Sequence, residues 1–541
     1  MNDIIQDIIT LAESWEGAGN PKIPLPTDLY KPRVNSKNFD LTYPPHLSYL
    51  KHEMQMAEGA FPKKPTALIS GQEIFDVGEK DLKHALESAS SDKGWRHSPV
   101  HIRALTLEKA ADLLEKRMPY FMALLVREAG KTLKDAASEV REAVDYCRYY
   151  AQEALRLQSL PRILPSITGE SNTLSLEPRG VYSCISPWNF PLAIFLGQIT
   201  AALVTGNTVL AKPSHQTPLI GFCAIKLLFE AGIPHNALHF LPISGHLMEE
   251  HILKDPRLNG VAFTGSHDTA CHIAQILSAQ KGPLIPLIAE TGGVNAMIID
   301  SSAPFEHAVR DVLVSAFQSA GQRCSSLRIL CIQEEIFDLF LTMLTGATSE
   351  LILSDPGLLK TDLGPIIDPV QKQMLETYIK KAKHKFPLLF KGEVPHIPLN
   401  NYYLAPHIFE VKKVSDVPQE IFGPILHVLR FKREEIPTLV QDINALGFGL
   451  TLGIQSRVNS TIEFIERHAH VGNLYVNRSQ IGAVVESQPF GGEKLSGTGP
   501  KAGGPFYLTR FCVERTRTIN TSAWGGNQTL LTLDESSMTH A

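Results

Sequence analysis

Two periodicities divide this chain. Between residues 80 and 157 apolar positions recur every three to four residues, the spacing of one helix face. Ala104–Lys116 is amphipathic, and Ala136–Leu155 predicts a second long helix. From Val181 the pattern changes to short apolar runs alternating with helical stretches. It predicts strands at Val181–Ser186, Thr208–Lys212, Leu238–Pro242, Gly260–Thr264 and Leu284–Ala289. Helices are predicted from about Leu192, over Thr217–Ala231, in a short stretch to Leu253 and from about Asp268. Apolar strands alternating with helices imply a parallel sheet covered on both faces. The same style continues with a helix over about Phe305–Ala320, a strand at Arg328–Ile332 and helices at Phe337–Leu344 and Gln371–Lys385.

Three segments stand apart. Arg162–Gly180 alternates with period two and predicts a hairpin projecting from the body; Phe511–Thr518 alternates again and can pair with it. Residues 20–45, rich in proline and polar side chains, predict an extended lead-in draped over a domain. At the N-terminus Ile4, Ile5, Ile8, Ile9 and Leu11 have helical spacing. That stretch starts with acid and has neither the basic region of a secretory signal nor the arginines of a transit peptide. The most apolar window, Leu192–Ala211, carries Gln198, Thr200, Thr205, Asn207 and Thr208. It therefore predicts a buried helix running into a strand, not a membrane span.

Composition adds exclusions. A chain of 541 residues suggests two to four domains, and 43% apolar content supports large cores. Lys and Arg number 51 against 56 Asp and Glu, a net charge of −5, so there is no global basic field for nucleic acid or an anionic membrane. The seven cysteines are odd in number and include no Cys-x-x-Cys pair. They read as reduced thiols of a cytoplasmic protein, with neither a disulfide framework nor a metal knuckle.

Neither G-x-G-x-x-G nor a P-loop follows any predicted strand. What stands at the strand ends is SPWNFP (Ser186–Pro191), AKPS (Ala211–Ser214), FTGS (Phe263–Ser266) and AETGG (Ala289–Gly293). Ligands bind at the carboxyl ends of such strands, although Pro, Gly, Asn and Ser also favour plain turns. Cys324 lies in SAGQRCSS, with Gly321 loosening the chain before it and Arg323 beside it. A neighbouring cation would lower the thiol pKa and favour the thiolate; the alternative is a buried structural cysteine. Glu290 ends an apolar strand, where burial would raise its pKa and suit it to act as a general base; a surface or capping glutamate is the alternative. A thiol nucleophile, a separate carboxylate base and the side-chain amide of Asn189 as an oxyanion donor together describe thioester chemistry coupled to hydride transfer.

The ordered set PWNFP, AKPS, FTGS, AETGG, GQRCS, EIFGPI and PFGG resembles the aldehyde dehydrogenase superfamily. More narrowly, SSAPFEHAVRDVLVSAFQSAGQRCSSLRILC, SGTGPKAGGP and DLYKPRVNS resemble the dehydrogenase half of the bifunctional proline utilization A proteins. The resemblance implies NAD-dependent oxidation of L-glutamate γ-semialdehyde, the open form of Δ1-pyrroline-5-carboxylate, to L-glutamate. It makes Cys324 the nucleophile, Asn189 and the Cys324 N–H the oxyanion donors, and Glu290 the activator of water. Lys212 and Ser214 then meet the adenosine ribose, Gly265 and Ser266 the pyrophosphate, and Glu420 the nicotinamide ribose, with Phe422 and Trp188 beside it. For the substrate, Ser325, Gly503 and Gly504 resemble the carboxylate anchor and Glu142 the partner of the ammonium, with Glu139 one turn away. Phe190 and Phe511 match an aromatic pair around the aliphatic stem. No metal is implied.

Two positions depart from the pattern. His215 stands where many relatives carry a glutamate that repels a 2′-phosphate, and Val294 replaces a common lysine. Alternatives are an enzyme for another aldehyde or for NADP, and a non-catalytic module of the same fold. The fold expected is α/β: an NAD-binding domain over residues 1–160 and 178–289, and a catalytic domain over 290–490. Residues 161–177 and 491–541 would supply an oligomerisation hairpin, the anchor loop and a tail. The exposed strand edges predict a homodimer or higher oligomer. Nothing before Val181 reads as a proline dehydrogenase barrel, so the expectation is a stand-alone enzyme or one part of a split protein, with a separate proline dehydrogenase as a possible partner.

Overall fold

The computed structural model describes residues 23–25, 28–394 and 402–524. The apolar pattern at Ile4–Leu11 and the tail beyond residue 524 lie outside the described residues. Two seven-stranded sheets carry the architecture. In the first the order is Gln72–Ile74, Ala67–Ile69, Leu238–Phe240, Thr208–Lys212, Val181–Ile185, Leu258–Thr264 and Leu287–Glu290. The five strands from Leu238 onward in that order run parallel, and Ala67–Ile69 pairs antiparallel with both of its neighbours. The chain starts at Val181, builds to one side, then returns to build on the other. The point of reversal lies between Val181–Ile185 and Leu258–Thr264, where open sheets of this kind form a crevice.

Alternation along these strands sorts side chains to two apolar layers. Tyr182, Cys184, Val209 and Ala211 pack into a core shared with helices Val100–Lys116, Leu133–Gln158 and Ala193–Val204. Val181, Ile185, Leu210, Val261 and Phe263 face the opposite layer, against Glu79–Ser91 and His267–Ala279. The second sheet runs Leu388–Lys391, His407–Val411, Ile425–Phe431, Leu327–Gln333, Asn295–Ile299, Thr451–Gln455 and Asn473–Val476, parallel except at its first pair. A third, antiparallel sheet pairs Cys512–Asn520 with Glu170–Pro178, and that strand with Arg162–Leu164.

The α/β alternation is therefore observed, with helix and strand bounds within a few residues of those expected. Helices Ile436–Ala445 and Asn459–His468 were not expected, nor was Pro44–Glu58, which begins inside the stretch expected to be extended. Its proline sits in the first turn, where a missing N–H costs nothing. The lead-in before it is held by Arg33, buried between Asp145 (2.7 Å) and Glu486 (2.9 Å). No helix among the described residues is long and apolar enough to cross a membrane.

Helix starts in this fold are capped from a distance as well as locally. Thr217 makes no side-chain cap to helix Pro218–Ala231; instead the Glu128 carboxylate accepts from the Leu219 and Ile220 N–H groups at 2.8 and 2.9 Å. Removing both acceptors with Glu128→Ala strands two donors and is expected to cost about 1–3 kcal/mol. Glu128→Gln, which keeps one good acceptor oxygen, is expected to cost less. Denaturant unfolding of the three proteins orders them wild type, Gln, Ala; equal midpoints would contradict the remote cap.

Candidate active site

The carboxyl ends of the first sheet meet the amino ends of the second, and residues 290–295 carry the chain across. Glu290 ends the last strand of the first sheet and Asn295 starts a strand of the second. The crossing is fastened to residues 495–498: Thr291 N–H donates to Ser496 O at 2.9 Å, and Thr498 N–H donates to Ala289 O at 2.9 Å. Asn295 closes it, donating through Nδ2 to Cys324 O (2.6 Å) and Ser326 O (2.9 Å) while accepting from Thr451 N–H (3.1 Å).

A cavity with about 1380 Å³ of empty space, mouth included, opens at this junction. Cys324, Ser325, Glu290, Glu142 and Phe190 line it together, drawn from four separate stretches of sequence. Tyr146, Phe490, Tyr507 and Ala502 line it as well. Glu290 is fixed by its glycine-rich surroundings: Oε2 accepts from Gly492 N–H at 3.0 Å, and a Cβ on Gly491 or Gly497 would lie 2.9 Å from its carboxyl oxygens. Oε1 is buried without a partner. Burial pushes this carboxyl up to about 8, against the smaller pull of the Gly492 N–H and Lys501.

Arg323 does not activate Cys324 in the way the sequence suggested. Its guanidinium pairs with buried Asp135 at 3.0 Å and lies 5.1 Å from the Phe190 ring centroid. Burial, reinforced by the carboxyls of Glu420 and Glu290, pushes the Cys324 thiol up to about 12, and Arg323 opposes this only weakly. The thiol rests as the neutral form, so a base must take its proton when it reacts. Ahead of it, Ser319, Ala320 and Gly321 all have positive φ, at 56°, 54° and 66°. For the two non-glycines this conformation costs on the order of 1–3 kcal/mol each. Gly321 is required outright, because a Cβ there would sit 2.2 Å from Gly423 O.

Glu139 and Glu142 on helix Leu133–Gln158 have separate duties. Glu139 is buried, pairs with Lys131 at 2.7 Å and accepts from the Leu192 and Ala193 N–H groups, so it caps the helix that follows the PWNF turn. Glu142 is left to face the cavity. Burial, with Glu139 adding to it, pushes its carboxyl up to about 7. Phe190 is held between cations, with Lys131 Nζ 4.1 Å from its ring centroid on the Glu139 side of the network.

Several expected residues are placed differently. Phe511 is fully buried and not among the residues lining the cavity; it packs on Tyr182 with ring centroids 4.8 Å apart and lies behind Tyr507. Tyr507, Tyr146 and Phe490 are the aromatics that share the cavity with Phe190. Gly503 and Gly504 also fall outside the lining, and the Gly503 N–H already donates to the Tyr150 hydroxyl at 3.0 Å; Ala502 is the cavity's neighbour instead. Asn189 faces a small adjoining pocket and donates to Gln322 O at 3.3 Å, a bond that uses one of its two amide hydrogens. The polar residues Asp135, Ser138, Glu142 and Asp145, spaced three to four residues apart along one face of helix Leu133–Gln158, line the cavity as a set, with Tyr146 beside them. That spacing was the unused signal for it.

A second group of residues surrounds the strand ends of the first sheet. Lys212 ends Thr208–Lys212, half-buried, and burial lowers its amine below the ordinary lysine range. Ser214 follows it, and His215 is exposed. Gly265 precedes helix His267–Ala279, which Ser266 caps through Thr269 N–H; a Cβ on Gly265 would meet the Phe263 ring at 2.6 Å. Glu420 accepts from Gly293 N–H at 3.3 Å and lies 3.8 Å from the fully buried Arg328. Burial pushes its carboxyl up to about 7, with Arg328 opposing. Phe422 meets Trp188 edge-to-face, centroids 5.5 Å apart. A cation with a hydroxyl, a helix start and a carboxylate beside two aromatics form a set suited to two riboses and the pyrophosphate between them.

Comparison with known proteins agrees with this arrangement. The aldehyde dehydrogenase family model matches residues 65–517. The bifunctional protein PutA of Klebsiella aerogenes is 44% identical over 535 residues, which is 93% of this chain and 40% of that protein. The 1-pyrroline-5-carboxylate dehydrogenase of Geobacillus sp. (strain WCH70) is 37% identical over 440 residues, 80% of this chain and 84% of its own. Among solved structures, a bifunctional proline utilization A protein has a TM-score of 0.89 at 47% identity, covering 94% of this chain and 50% of that one. A Thermus 1-pyrroline-5-carboxylate dehydrogenase with bound NAD has a TM-score of 0.85 at 30% identity, covering 91% of this chain and all of its own. The chain spans about two fifths of the length of the curated bifunctional relatives it matches.

Proposed function

The chain belongs to the aldehyde dehydrogenase family, and from that premise we propose that it oxidises L-glutamate γ-semialdehyde to L-glutamate with NAD. The observation that carries this reading is the single cavity in which Cys324, Glu290, Glu142 and Ser325 meet. Relatives named 1-pyrroline-5-carboxylate dehydrogenase support the substrate, and the NAD bound in the Thermus relative supports the cofactor. In this reading Lys212 and Ser214 hold the adenosine ribose, Gly265 and Ser266 the pyrophosphate, and Glu420 the second ribose, with Phe422 and Trp188 packed alongside. NAD, when bound, supplies the acceptor for the hydride that leaves the aldehyde carbon.

Every other step belongs to this chain's own residues. Cys324 gives up its proton to ionised Glu290 in the same cavity, which passes it on to solvent, and its sulfur bonds to the aldehyde carbon, forming a thiohemiacetal. The oxyanion is held by the free amide hydrogen of Asn189 and the Cys324 N–H. Loss of hydride leaves a thioester on Cys324. Ionised Glu290 takes a proton from water, whose oxygen displaces the sulfur and releases the carboxylate product. Glu142 meets the substrate ammonium, which would favour its ionised form. Ser325 meets the carboxylate, and Phe190 with Tyr507 and Phe490 flanks the stem.

The seven cysteines are all unpaired, which supports a reducing, cytoplasmic setting. Leu160, Ile163 and Ile167 are exposed in and next to the first strand of the three-stranded sheet, which keeps an open edge at Arg162–Leu164. That surface supports a homodimer or higher oligomer; a light-scattering mass near twice 59.7 kDa or above is expected, and a monomer mass would refute it. The bifunctional relatives support a proline dehydrogenase as the source of the substrate.

The direct test is NADH formation at 340 nm with Δ1-pyrroline-5-carboxylate, comparing NAD+ with NADP+. Strong NAD+ turnover that is lost in Cys324→Ala is expected; NADP+ preference would overturn the cofactor, and no turnover with any aldehyde would favour a non-catalytic module. Because Glu290 must be ionised to act as base, the deacylation rate is expected to rise with pH through about 8 and level off above it. Glu290→Gln should abolish that limb, and an unchanged profile would remove Glu290 from the base role. Ser325→Ala is expected to raise KM for the semialdehyde about tenfold, the scale of one lost hydrogen bond to a charged group, while propionaldehyde is barely affected. Equal effects on both would move the carboxylate anchor elsewhere.

A further inference from the structure

The turn before Cys324 is held from outside its own sheet. Gln318 Nε2 donates to Asp135 Oδ1 at 2.5 Å, Ser319 Oγ donates to Oδ2 at 2.8 Å, and Arg323 Nη2 donates to Oδ1 at 3.0 Å. Arg323 Nε also donates to Ser319 Oγ at 2.9 Å, closing the ring of contacts. Between these anchors lie the three consecutive positive-φ residues, Ser319 to Gly321. Such a conformation persists at non-glycine residues only where the surroundings over-determine it. Asp135 is well placed to do this. It sits in the first turn of helix Leu133–Gln158, its own N–H bonds Thr132 Oγ1, and it is 2% exposed.

We propose that Asp135 is a positioning residue for the nucleophile: its carboxylate clamps the left-handed turn that presents Cys324, and it cancels the charge of Arg323 beside the thiol. The inference rests on the reading of Cys324 as the nucleophile.

The two halves of the clamp are one contact. Burial opposes ionisation of Asp135, but Arg323, Lys131 and the donated hydrogen bonds outweigh it and hold the carboxyl below its ordinary range. Arg323 is thus committed to Asp135 and does little for the sulfur. The groups that face Cys324 are Glu290 and Glu420 from the strand-end loops, Arg328 from the following strand, Tyr146 from the long helix and Tyr475 from a neighbouring strand. Those that face the Asp135–Arg323 pair are Lys131 and Glu142. With the Asp135 charge removed and these unchanged, Arg323 becomes the uncompensated cation nearest the thiol.

Asp135→Asn keeps the side-chain shape and removes the charge. It is expected to lower kcat about 10- to 100-fold, the scale of a small misplacement of reacting groups, with KM changed less than about threefold. The pH dependence of Cys324 alkylation by iodoacetamide, followed by peptide mass spectrometry, should move to lower pH. Adding Ala320→Gly, which relieves the positive-φ cost without touching a hydrogen bond, should recover at least about threefold of kcat and leave the alkylation shift in place. A variant that merely loses thermal stability, with kcat per folded enzyme and the alkylation profile of wild type, would overturn the proposal. Should Asp135→Asn fail to fold, Ser319→Ala removes the hydroxyl bridging Asp135 and Arg323; a fall in kcat supports the clamp, and an unchanged kcat refutes it. If Cys324→Ala retained turnover, the nucleophile reading would fall, whereas the alkylation profile reports the Asp135 effect on that thiol whatever the substrate.

Discussion

Six residues, Glu290 to Asn295, carry the chain from one parallel sheet into the other, and the geometry of the site depends on that short crossing. Parallel strands present carbonyl-rich carboxyl ends and donor-rich amino ends. Here the carboxyl ends of the first sheet face the amino ends of the second. Glu290 is the last residue on one side, and the strand that Cys324 precedes lies next to the strand that Asn295 starts. Asn295 then takes the carbonyls of Cys324 and Ser326. The base and the thiol meet in one cavity because this short crossing is fastened at both ends, to residues 495–498 beside Glu290 and to the Cys324 carbonyl through Asn295.

Burial at the junction sets the chemistry. Glu290, Glu142 and Glu420 all hold their protons more tightly than exposed glutamates, and Cys324 rests as a thiol. Each has desolvation as its leading cause, so the low-dielectric cavity rather than any one partner is responsible. Where charge is kept inside, it is paired closely: Asp135 with Arg323, Glu139 with Lys131, Asp145 with Arg33. The first and last of these pairs also join stretches of chain far apart in sequence. Their net energy of interaction is small after desolvation, but removing one partner leaves the other as an unpaired buried charge.

Much of this was legible beforehand. Alternating apolar runs and helical stretches identified the α/β architecture, and the strand-end placement of Glu290 and of the PWNFP, AKPS and FTGS turns was read from where each run stopped. The second sheet was less legible. Its strands His407–Val411, Ile425–Phe431, Thr451–Gln455 and Asn473–Val476 were not resolved from the pattern, because periodicity alone does not tell a short apolar run in a strand from a buried stretch of helix or loop. Phe511 and Gly503 were assigned to the substrate by resemblance. The structure instead buries Phe511 against Tyr182 and commits the Gly503 N–H to Tyr150.

By itself the sequence determined which residues could be reactive and where strands and helices alternate, since both follow from local side-chain chemistry and from periodicities of two and 3.6 residues. Tertiary structure alone decided what those residues do to one another. Arg323 adjoins Cys324 in sequence, yet it is spent on Asp135, 188 residues away along the chain. Glu139 and Glu142 share a helix face, yet one caps a neighbouring helix and the other faces the cavity. The physical reason is the same in each case: desolvation and ion pairing depend on what lies within a few ångströms in space, and spacing along the chain does not encode that distance.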